Sequence, residues 1–175
     1  DIAFGEFDGM TGVEVLKLSG NAADDAQLVF LGADAEAVGL TTIDSTTLDS
    51  GDSLALRLAT FGNALTINTG AGDDDITLGS GGSVVDSGNG NDVITVGAAN
   101  DGVTDDHITA GDGHDQIFVL AAQLSSHLEI AAGNGIDALN LASDSAVSDA
   151  DFTLMTALEQ VMFDFDAADN AQSIT

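Results

Sequence analysis

Aliphatic residues recur every nine positions over half of this chain, and this period restricts the fold more than any other feature of the sequence. The uninterrupted part of the series is Leu58, Ile67, Ile76, Val85 and Ile94. After insertions at residues 96–100 and 119–122, the series resumes at Ile108, Ile117, Ile130 and Leu139. A short fixed period of this kind predicts stacked, nearly identical turns instead of one compact globule.

A Gly-x-Gly-x-Asp loop lies before every second aliphatic residue of the series. The four loops are Gly70-Ala71-Gly72-Asp73-Asp74, Gly88-Asn89-Gly90-Asn91-Asp92, Gly111-Asp112-Gly113-His114-Asp115 and Gly133-Asn134-Gly135-Ile136-Asp137. If two nine-residue repeats make one full turn, loops that are two repeats apart stack on the same edge. We therefore expect all four loops on one edge, provided that the two insertions are bulges that leave the count of half-turns unchanged.

These residues resemble the RTX nonapeptide repeat of secreted bacterial proteins, Gly-Gly-x-Gly-x-Asp-x-aliphatic-x. The strong match covers about half of the chain. The resemblance implies an all-β fold: a right-handed parallel β-roll (a β-solenoid) with calcium between its turns, here with short flanking β and helical-turn segments. The chain departs from the pattern in two ways, because the first glycine is never present and alternate repeats lack the aspartate.

By this resemblance, calcium ligands come from the four loops. The implied aspartates are Asp74, Asp92, Asp115 and Asp137, and the implied carbonyl donors are Gly70, Gly72, Gly88, Gly90, Gly111, Gly113, Gly133 and Gly135. Further oxygens are available from Asp73, Asn89, Asn91, Asp112 and Asn134. Adjacent strands lie ~4.8 Å apart and Ca²⁺–oxygen bonds are ~2.3–2.6 Å long, so an ion between two stacked loops reaches both. We expect roughly three ions, one for each gap between four loops.

The opposite edge is expected to differ. Its segments are residues 61–63, 79–83, 102–106 and 124–128, and only the third of them retains the aspartate, in Asp105-Asp106. We expect this edge to be closed by side-chain and backbone hydrogen bonds, with Asp105 and Asp106 as ordinary acidic turn residues.

The charge of the chain excludes several classes of function. Thirty acidic residues face one lysine and one arginine, which gives a net charge of −28, and residues 58–175 contain 19 carboxylates and no Lys or Arg. Ordinary nucleic-acid binding and attraction to anionic lipid both need cationic side chains, so neither is expected. The chain has no cysteine, and no apolar run is long enough for a membrane span, so we expect neither thiolate metal sites nor membrane insertion.

A second, longer repeat relates the two ends of the sequence. Residues 1–30 align without gaps onto residues 146–175, with nine identities that include Phe7/Phe152, Met10/Met155 and Glu14/Glu159. We therefore divide the chain into an N-terminal β segment (1–50), the roll (51–140) and the start of a second copy of a unit of about 145 residues (141–175). Residues 148–156 are expected to form a short helical turn capped by Ser148.

These features favour a calcium-dependent structural or self-assembling module of a secreted bacterial surface protein such as an S-layer, fibre or sheath. By resemblance, it would leave the cell unfolded through type I secretion, fold outside on binding calcium, and join other copies through its ends into an oligomer or filament. Two alternatives stay open: a spacer in a giant adhesin, and the secretion and folding roll of an extracellular enzyme. No catalytic motif is present, and His107, His114 and His127 are expected to be exposed loop residues, so the chain itself is not expected to be an enzyme.

Overall fold

The computed structural model describes residues 7–20, 26–97, 105–124, 127–142 and 147–164, and most of these residues lie in short strands and tight loops. The helical segments among them are α1 Ala33–Ala37 and two 3-10 turns at Ala121–Gln123 and Asp149–Phe152. None of the described helices is long and apolar enough to cross a membrane. The strands are β1 Val15–Lys17, β2 Ala26–Phe30, β3 Thr42–Asp44, β4 Ser53–Arg57, β5 Thr66–Asn68, β6 Asp75–Thr77, β7 Val84–Asp86, β8 Val93–Thr95, β9 Asp106–Gly113, β10 Gln116–Leu120, β11 Leu128–Gly135, β12 Ala138–Ala142, β13 Met155–Thr156 and β14 Gln160–Asp164.

The strands form two parallel sheets of seven strands each, and the chain passes from one sheet to the other at every successive strand. The odd-numbered strands form one sheet in the order β1-β3-β5-β7-β9-β11-β13, which we call the odd sheet. The even-numbered strands form the other, from β2 to β14, which we call the even sheet. This alternation is the winding of a solenoid, and it confirms the prediction of an all-β, parallel β-solenoid.

The core consists of two facing columns of aliphatic side chains. All nine residues of the period-nine series are buried, and none is more than 1% exposed. In the odd sheet Ile67 stands in register with Ile43 and Val85, and in the even sheet Ile76 stands in register with Ile94. Burial of one such side chain contributes roughly 1.5–3 kcal/mol, so this repeated residue holds each turn to the next.

The structure corrects the phase of the series at its beginning. Leu58 is buried but lies just after β4, and its backbone N–H bonds the carbonyl oxygen of Thr77. The position in register with Ile76 is occupied by Leu56. The half-turn that follows β4 is therefore longer than nine-residue counting predicts, because residues 58–65 join β4 to β5 whereas the shorter segment 78–83 joins β6 to β7.

The predicted helical turn at residues 148–156 is shorter in the structure. The 3-10 turn covers Asp149–Phe152, and the backbone N–H and hydroxyl of Ser148 both donate to the Asp151 carboxylate, at 2.7 and 2.9 Å. The following residues form β13, in which Met155 pairs with Ile130 of β11. Strand pairing at the end of the odd sheet replaces the last helical residues, because it extends the backbone hydrogen bonds of the solenoid.

The strands at the two ends of the solenoid are related by the long sequence repeat. Glu14 precedes β1, and Glu159, its match at the offset of 145 residues, precedes β14. Leu16 and its match Val161 both occupy inward positions, in register with Ile43 and Leu139. The two strands nevertheless belong to different sheets. The repeat also includes residues 1–6, 21–25 and 165–175, which lie outside the described residues.

Candidate metal centre

The four loop aspartates stand in one column, immediately before successive strands of the even sheet. Strand register places Asp74, Asp92, Asp115 and Asp137 at equivalent positions, and each is at most 2% exposed. We call these four residues the aspartate column, and the edge that carries them the ladder edge. The predicted edge assignment therefore agrees with the structure, and the two insertions leave the count of half-turns unchanged.

Each aspartate of the column accepts a hydrogen bond from the preceding turn. The backbone N–H of Asp74 donates to Asp92 Oδ1, that of Asp92 to Asp115 Oδ1, and that of Asp115 to Asp137 Oδ1, each at 2.9 Å. At the start of the column, Leu54 N–H donates to Asp74 Oδ1 at 2.7 Å. One carboxylate oxygen per turn is thus committed to holding neighbouring turns together.

The second carboxylate oxygen of each aspartate has no such partner. Oδ2 of Asp74, Asp92, Asp115 and Asp137 is shielded from solvent and lacks a hydrogen bond to the described residues. A buried carboxylate oxygen without a partner is costly, because nothing in the interior replaces its hydration. A repeated cost of this kind, once per turn, requires a proton or a cation.

The surroundings of the column raise the pKa of Asp74, Asp92 and Asp115. Burial raises the pKa of Asp92 from 3.8 to about 7, although the N–H of Asp74 and the hydroxyl of Ser87 oppose the shift. Repulsion from the neighbouring Asp74 and Asp115 raises it further. Burial also raises the pKa of Asp74 and of Asp115. The interior therefore disfavours the charge that these groups carry when they are ionised.

The cationic side chains of the chain do not supply the compensating charge. Lys17 pairs with Asp44 at 3.1 Å, and the Arg57 guanidinium pairs with Asp75, so both form ion pairs with neighbouring strands outside the column. No Lys or Arg occurs from residue 58 to residue 175, the region that contains the whole column. Any compensation for an ionised column would therefore have to come from solution, as a proton or as a cation.

Close contact between stacked loops explains the two glycines of each loop. Gly88 has a φ of +91°, and a Cβ atom there would lie 1.9 Å from the carbonyl oxygen of Gly70. A Cβ atom on Gly90, at φ +136°, would lie 2.1 Å from the carbonyl oxygen of Gly72. Only glycine avoids these overlaps, so the carbonyl oxygens of one loop can point directly at the next.

The glycine carbonyls already take part in bonds between loops. Asn89 N–H donates to Gly70 O, and Asp112 N–H donates to Gly88 O, each at 2.8 Å. A carbonyl oxygen has two lone pairs, so each of these atoms retains one for an ion. Among the described residues, no group of three or more His, Asp or Glu side chains could by itself hold a metal ion, so an ion at this edge would also need backbone carbonyl oxygens.

The residues that replace the missing first glycine are buried and inward-facing. Thr69 and Ser87 are completely buried, and their hydroxyls donate to the carbonyl oxygens of Ser87 and Ala110, at 2.9 and 2.8 Å. A small side chain fits at this position because it points into the solenoid and bonds the next turn. The departure from the repeat pattern therefore adds a second internal ladder.

The remaining loop residues of the predicted ligand set form an exposed outer ladder. Asp73 Oδ1 accepts the N–H of Asn91 at 2.7 Å, Asn91 Oδ1 accepts that of His114 at 3.0 Å, and His114 Nδ1 accepts that of Ile136 at 2.9 Å. Beside it, Asn134 donates its amide to Asp112 Oδ1 at 2.7 Å. These side chains and that of Asn89 are exposed, and so are separate from the buried Oδ2 atoms.

The structure adds Glu159, which sequence reasoning missed, and corrects the expectation that Asp106 is an ordinary turn residue, since Asp106 begins β9. Glu159 continues the column, because it precedes β14 and its Oε2 accepts the N–H of Asp137 at 2.9 Å. It follows Asp137 by 22 residues, the same separation as between Asp115 and Asp137, and this spacing was the available signal. On the opposite edge, Asp106 is buried and accepts the N–H of Ser83 at 2.7 Å, whereas Asp105 is exposed.

The donor set of the ladder edge fits a hard divalent cation such as calcium. Buried carboxylate oxygens recur at the spacing of the turns, the same loops contain closely stacked glycine carbonyl oxygens, and oxygen-only coordination is what Ca²⁺ prefers. The three histidines lie elsewhere: His107 pairs with Glu129, His127 pairs with Asp105, and His114 belongs to the outer ladder. Comparison with protein-family models, curated proteins and solved structures finds no match to this chain.

Proposed function

We propose that this chain is a calcium-dependent structural module of a secreted bacterial surface protein, such as an S-layer, fibre or sheath. The observation that carries the proposal is the aspartate column, with its four unpartnered and buried Oδ2 atoms. Without a cation, these carboxylates destabilise the fold on which their own positions depend. When a cation is bound, each carboxylate instead links two neighbouring turns.

Calcium fits the column better than magnesium does. Stacked strands are ~4.8 Å apart, so an ion midway between two turns lies close to the ~2.3–2.6 Å that Ca²⁺ needs from oxygens on both. Mg²⁺ demands shorter bonds and a strict octahedron, and it gives up its water reluctantly. The ligands would be the Oδ2 atoms of Asp74, Asp92, Asp115 and Asp137 with glycine carbonyl oxygens, and Glu159 would serve at the end of the column.

The structural role follows from the architecture and from the long repeat. A parallel solenoid leaves the edges of both sheets available for further turns at its ends, here β1 and β2 at one end and β13 and β14 at the other. The match of residues 1–30 to residues 146–175 favours units joined end to end. By its resemblance to RTX proteins, the chain would be exported unfolded and would fold outside the cell, where calcium is abundant.

The test is the conformation of the chain with and without the ion. At pH 8, circular dichroism in excess chelator should show a disordered chain, and millimolar calcium should restore the β-rich spectrum, while the same concentration of magnesium should not. Calorimetry should then count about three to four ions, one per gap along the column. A chain that is fully β-structured in chelator would overturn the proposal, because the column would then tolerate its own charge.

A further inference from the structure

The two copies of the long repeat share a bend and the strand that follows it. Gly12 has a φ of +70°, and its match Ala157 has a φ of +58°, the one positive value outside glycine among the described residues. Alanine rarely adopts this conformation, so contacts with the rest of the fold hold Ala157 there. β1 follows Gly12, and β14 follows Ala157. Residues 7–18 and 152–163 are thus one structural element in two copies, which we call the first and second junction segments.

The second junction segment closes the solenoid at its C-terminal end. β13, which lies in this segment, pairs with β11 of the odd sheet, and β14 pairs with β12 of the even sheet. Between these two strands, Glu159 accepts the N–H of Asp137 at 2.9 Å and so continues the bonding of the aspartate column. The segment therefore contacts the end of the roll through both sheets and through the column.

The first junction segment has no such roll before it. Met10 and Thr11, the matches of the two β13 residues, belong to no strand, and Met10 is 50% exposed. β1 is the first strand of the odd sheet in the described part of the chain, so one of its edges is unpaired there. Glu14, the match of Glu159, is exposed and precedes β1 on the opposite edge. The same element is thus docked at one end of the molecule and open at the other.

We propose that the first junction segment docks on the C-terminal end of a preceding copy, in the way that the second segment docks on its own roll. The molecule itself identifies the occupant, because the surface that receives the first segment is the one that the second segment already covers here. Met10 and Thr11 pair with β11 of the preceding copy, and Glu14 accepts the N–H of its Asp137 and extends its ion column. Successive copies then form one continuous solenoid.

The number of strands in one unit determines the symmetry of this solenoid. β14 comes thirteen strands after β1, and every step along the chain changes sheet. Because thirteen is odd, the odd sheet of one copy continues in line with the even sheet of the copy before it. The ladder edge therefore changes side at each copy, and one copy advances the rod by ~31 Å, which is six and a half turns at ~4.8 Å each. Each ion column ends at a junction, where Glu14 of the next copy closes it.

The inference rests on the proposed function, because docking needs a roll that calcium has folded. It replaces a general end-to-end contact by one with defined strands, a defined register and a ligand that each copy supplies to its neighbour. The single chain in calcium and in chelator tests the calcium requirement by itself. Failure of the junction experiments in a chain that folds with calcium therefore counts against the docking alone.

Exchange of the junction segments within one chain tests the docking. In the exchanged chain, residues 146–175 are replaced by a second copy of residues 1–30, and in the control they are replaced by a scrambled order of the same thirty residues. In millimolar calcium the exchanged chain should keep the ion count and the urea midpoint of the wild type, because the transplanted segment repeats the contacts of β13, Glu159 and β14. The scrambled control should bind one ion fewer and unfold at lower urea. An exchanged chain that behaves like the scrambled one would overturn the proposal.

A substitution in the exchanged chain tests the shared ligand. Glu14→Gln in the transplanted copy keeps an oxygen for the N–H of Asp137 but removes the charge, so the affinity of the last site should fall roughly tenfold while the other sites titrate as before. Glu129→Gln is the matched control, because Glu129 is exposed on the outer face of the odd sheet, away from the column, and pairs with His107. Equal calcium titrations of the two variants would show that Glu14 is not a ligand.

A chain of two units, residues 1–145 followed by residues 1–175, tests the change of side. The chain has no cysteine, so spin labels can be placed by single substitutions in each unit. Gln116→Cys in the first unit and Thr66→Cys in the second should lie on one face, four strands apart, which is roughly 20 Å. Thr77→Cys in the second unit lies on the other sheet, so its label should be roughly 10 Å farther from Gln116→Cys, across the thickness of the solenoid. The reverse order of the two distances would overturn the alternation of edges.

Discussion

The two edges of the solenoid occupy equivalent places in the winding but contain different residues. On the ladder edge, the position before each strand holds Asp74, Asp92, Asp115 and Asp137 in succession. On the opposite edge the corresponding position holds, in register, Leu65, Ser83, Asp106 and Leu128, which are also buried. Leucine at this position shows that the winding of the backbone does not need a carboxylate there. The winding therefore does not require the aspartates of the ladder edge, and what sets this edge apart is a carboxylate at all four positions, against Asp106 alone among the four on the opposite edge.

The largest expected effect is that of pH on the ion-free protein. The folded pKa of Asp92 is raised from 3.8 to about 7, so its ionisation disfavours the fold by roughly 4 kcal/mol above that pH. Stability in chelator should be highest near pH 4, fall as pH rises through 7, and stay low above it. Thermal melts from pH 4 to 8 measure this.

Asp92→Asn separates this effect from the general acidity of the chain. The amide oxygen still accepts the N–H of Asp74, but the group cannot ionise. In chelator the variant should therefore be more stable than the wild type at pH 8, and in calcium it should be less stable. If both proteins show the same pH profile in chelator, the column is not the source of the pH dependence.

Truncation of a single aspartate should distinguish the two edges. Asp92→Ala removes the acceptor of the Asp74 N–H and a ligand from two neighbouring gaps, so we expect a loss of about 3–5 kcal/mol in calcium. Asp115→Ala should behave in the same way. Urea unfolding gives the stability, and calorimetry gives the number and affinity of the ions.

Asp106→Ala is the matched variant on the opposite edge. It removes the acceptor of the Ser83 N–H, so we expect a loss of about 1–3 kcal/mol with calcium binding unchanged. A fall in calcium affinity as large as that of Asp92→Ala would mean that the opposite edge also binds the ion.

A smaller effect is expected at the end of the column. Glu159→Gln keeps an oxygen for the N–H of Asp137 but removes the charge, so the affinity of the last site should fall roughly tenfold, about 1.4 kcal/mol. The other sites should titrate as before. A calcium titration identical to that of the wild type would show that the ions stop at Asp137.

The smallest effect concerns the exposed pair on the opposite edge. Asp105 bonds His127 at 2.6 Å, and their side chains are 66% and 42% exposed. Exposed pairs contribute little, so Asp105→Ala should change stability by about 0.5 kcal/mol or less and leave calcium affinity unchanged. A loss comparable to that of Asp106→Ala would mean that the two adjacent aspartates act together.

Much of this architecture could be predicted because one spacing determines several properties. The nine-residue period predicted that Ile67 and Ile94 are buried and that the chain alternates between two sheets. The spacing of the loops predicted that Asp74 and Asp92 lie on the same edge. The period lost accuracy at Leu56 and Leu58, because the loop from β4 to β5 is longer than the loop from β6 to β7, and this added length changes which buried leucine stands in register with Ile76.

The details of the site depended on contacts between turns that no local pattern contains. Glu159 belongs to the column although no glycine loop precedes it, because a longer side chain reaches the same N–H from a different backbone. Asp105 and Asp106 are adjacent and have the same side chain, so only the strand register determines that Asp106 points inward. The outer ladder through His114 was missed for a similar reason, since its bonds join residues 18–23 positions apart.

The direction of the hydrogen bonds along the aspartate column has a consequence for the order of folding. The N–H of each turn is bonded by a carboxylate that lies 18–23 residues later in the chain. If the chain folds from its N-terminus, the N–H of one turn therefore has no acceptor until the following turn has formed. Folding in that direction always leaves the N–H of the newest turn without its hydrogen bond. A turn that has already formed at the C-terminal end, by contrast, offers its carboxylate to the N–H of the turn before it. The column thus gives the solenoid a preferred direction of folding, and turns should add faster toward the N-terminus than toward the C-terminus.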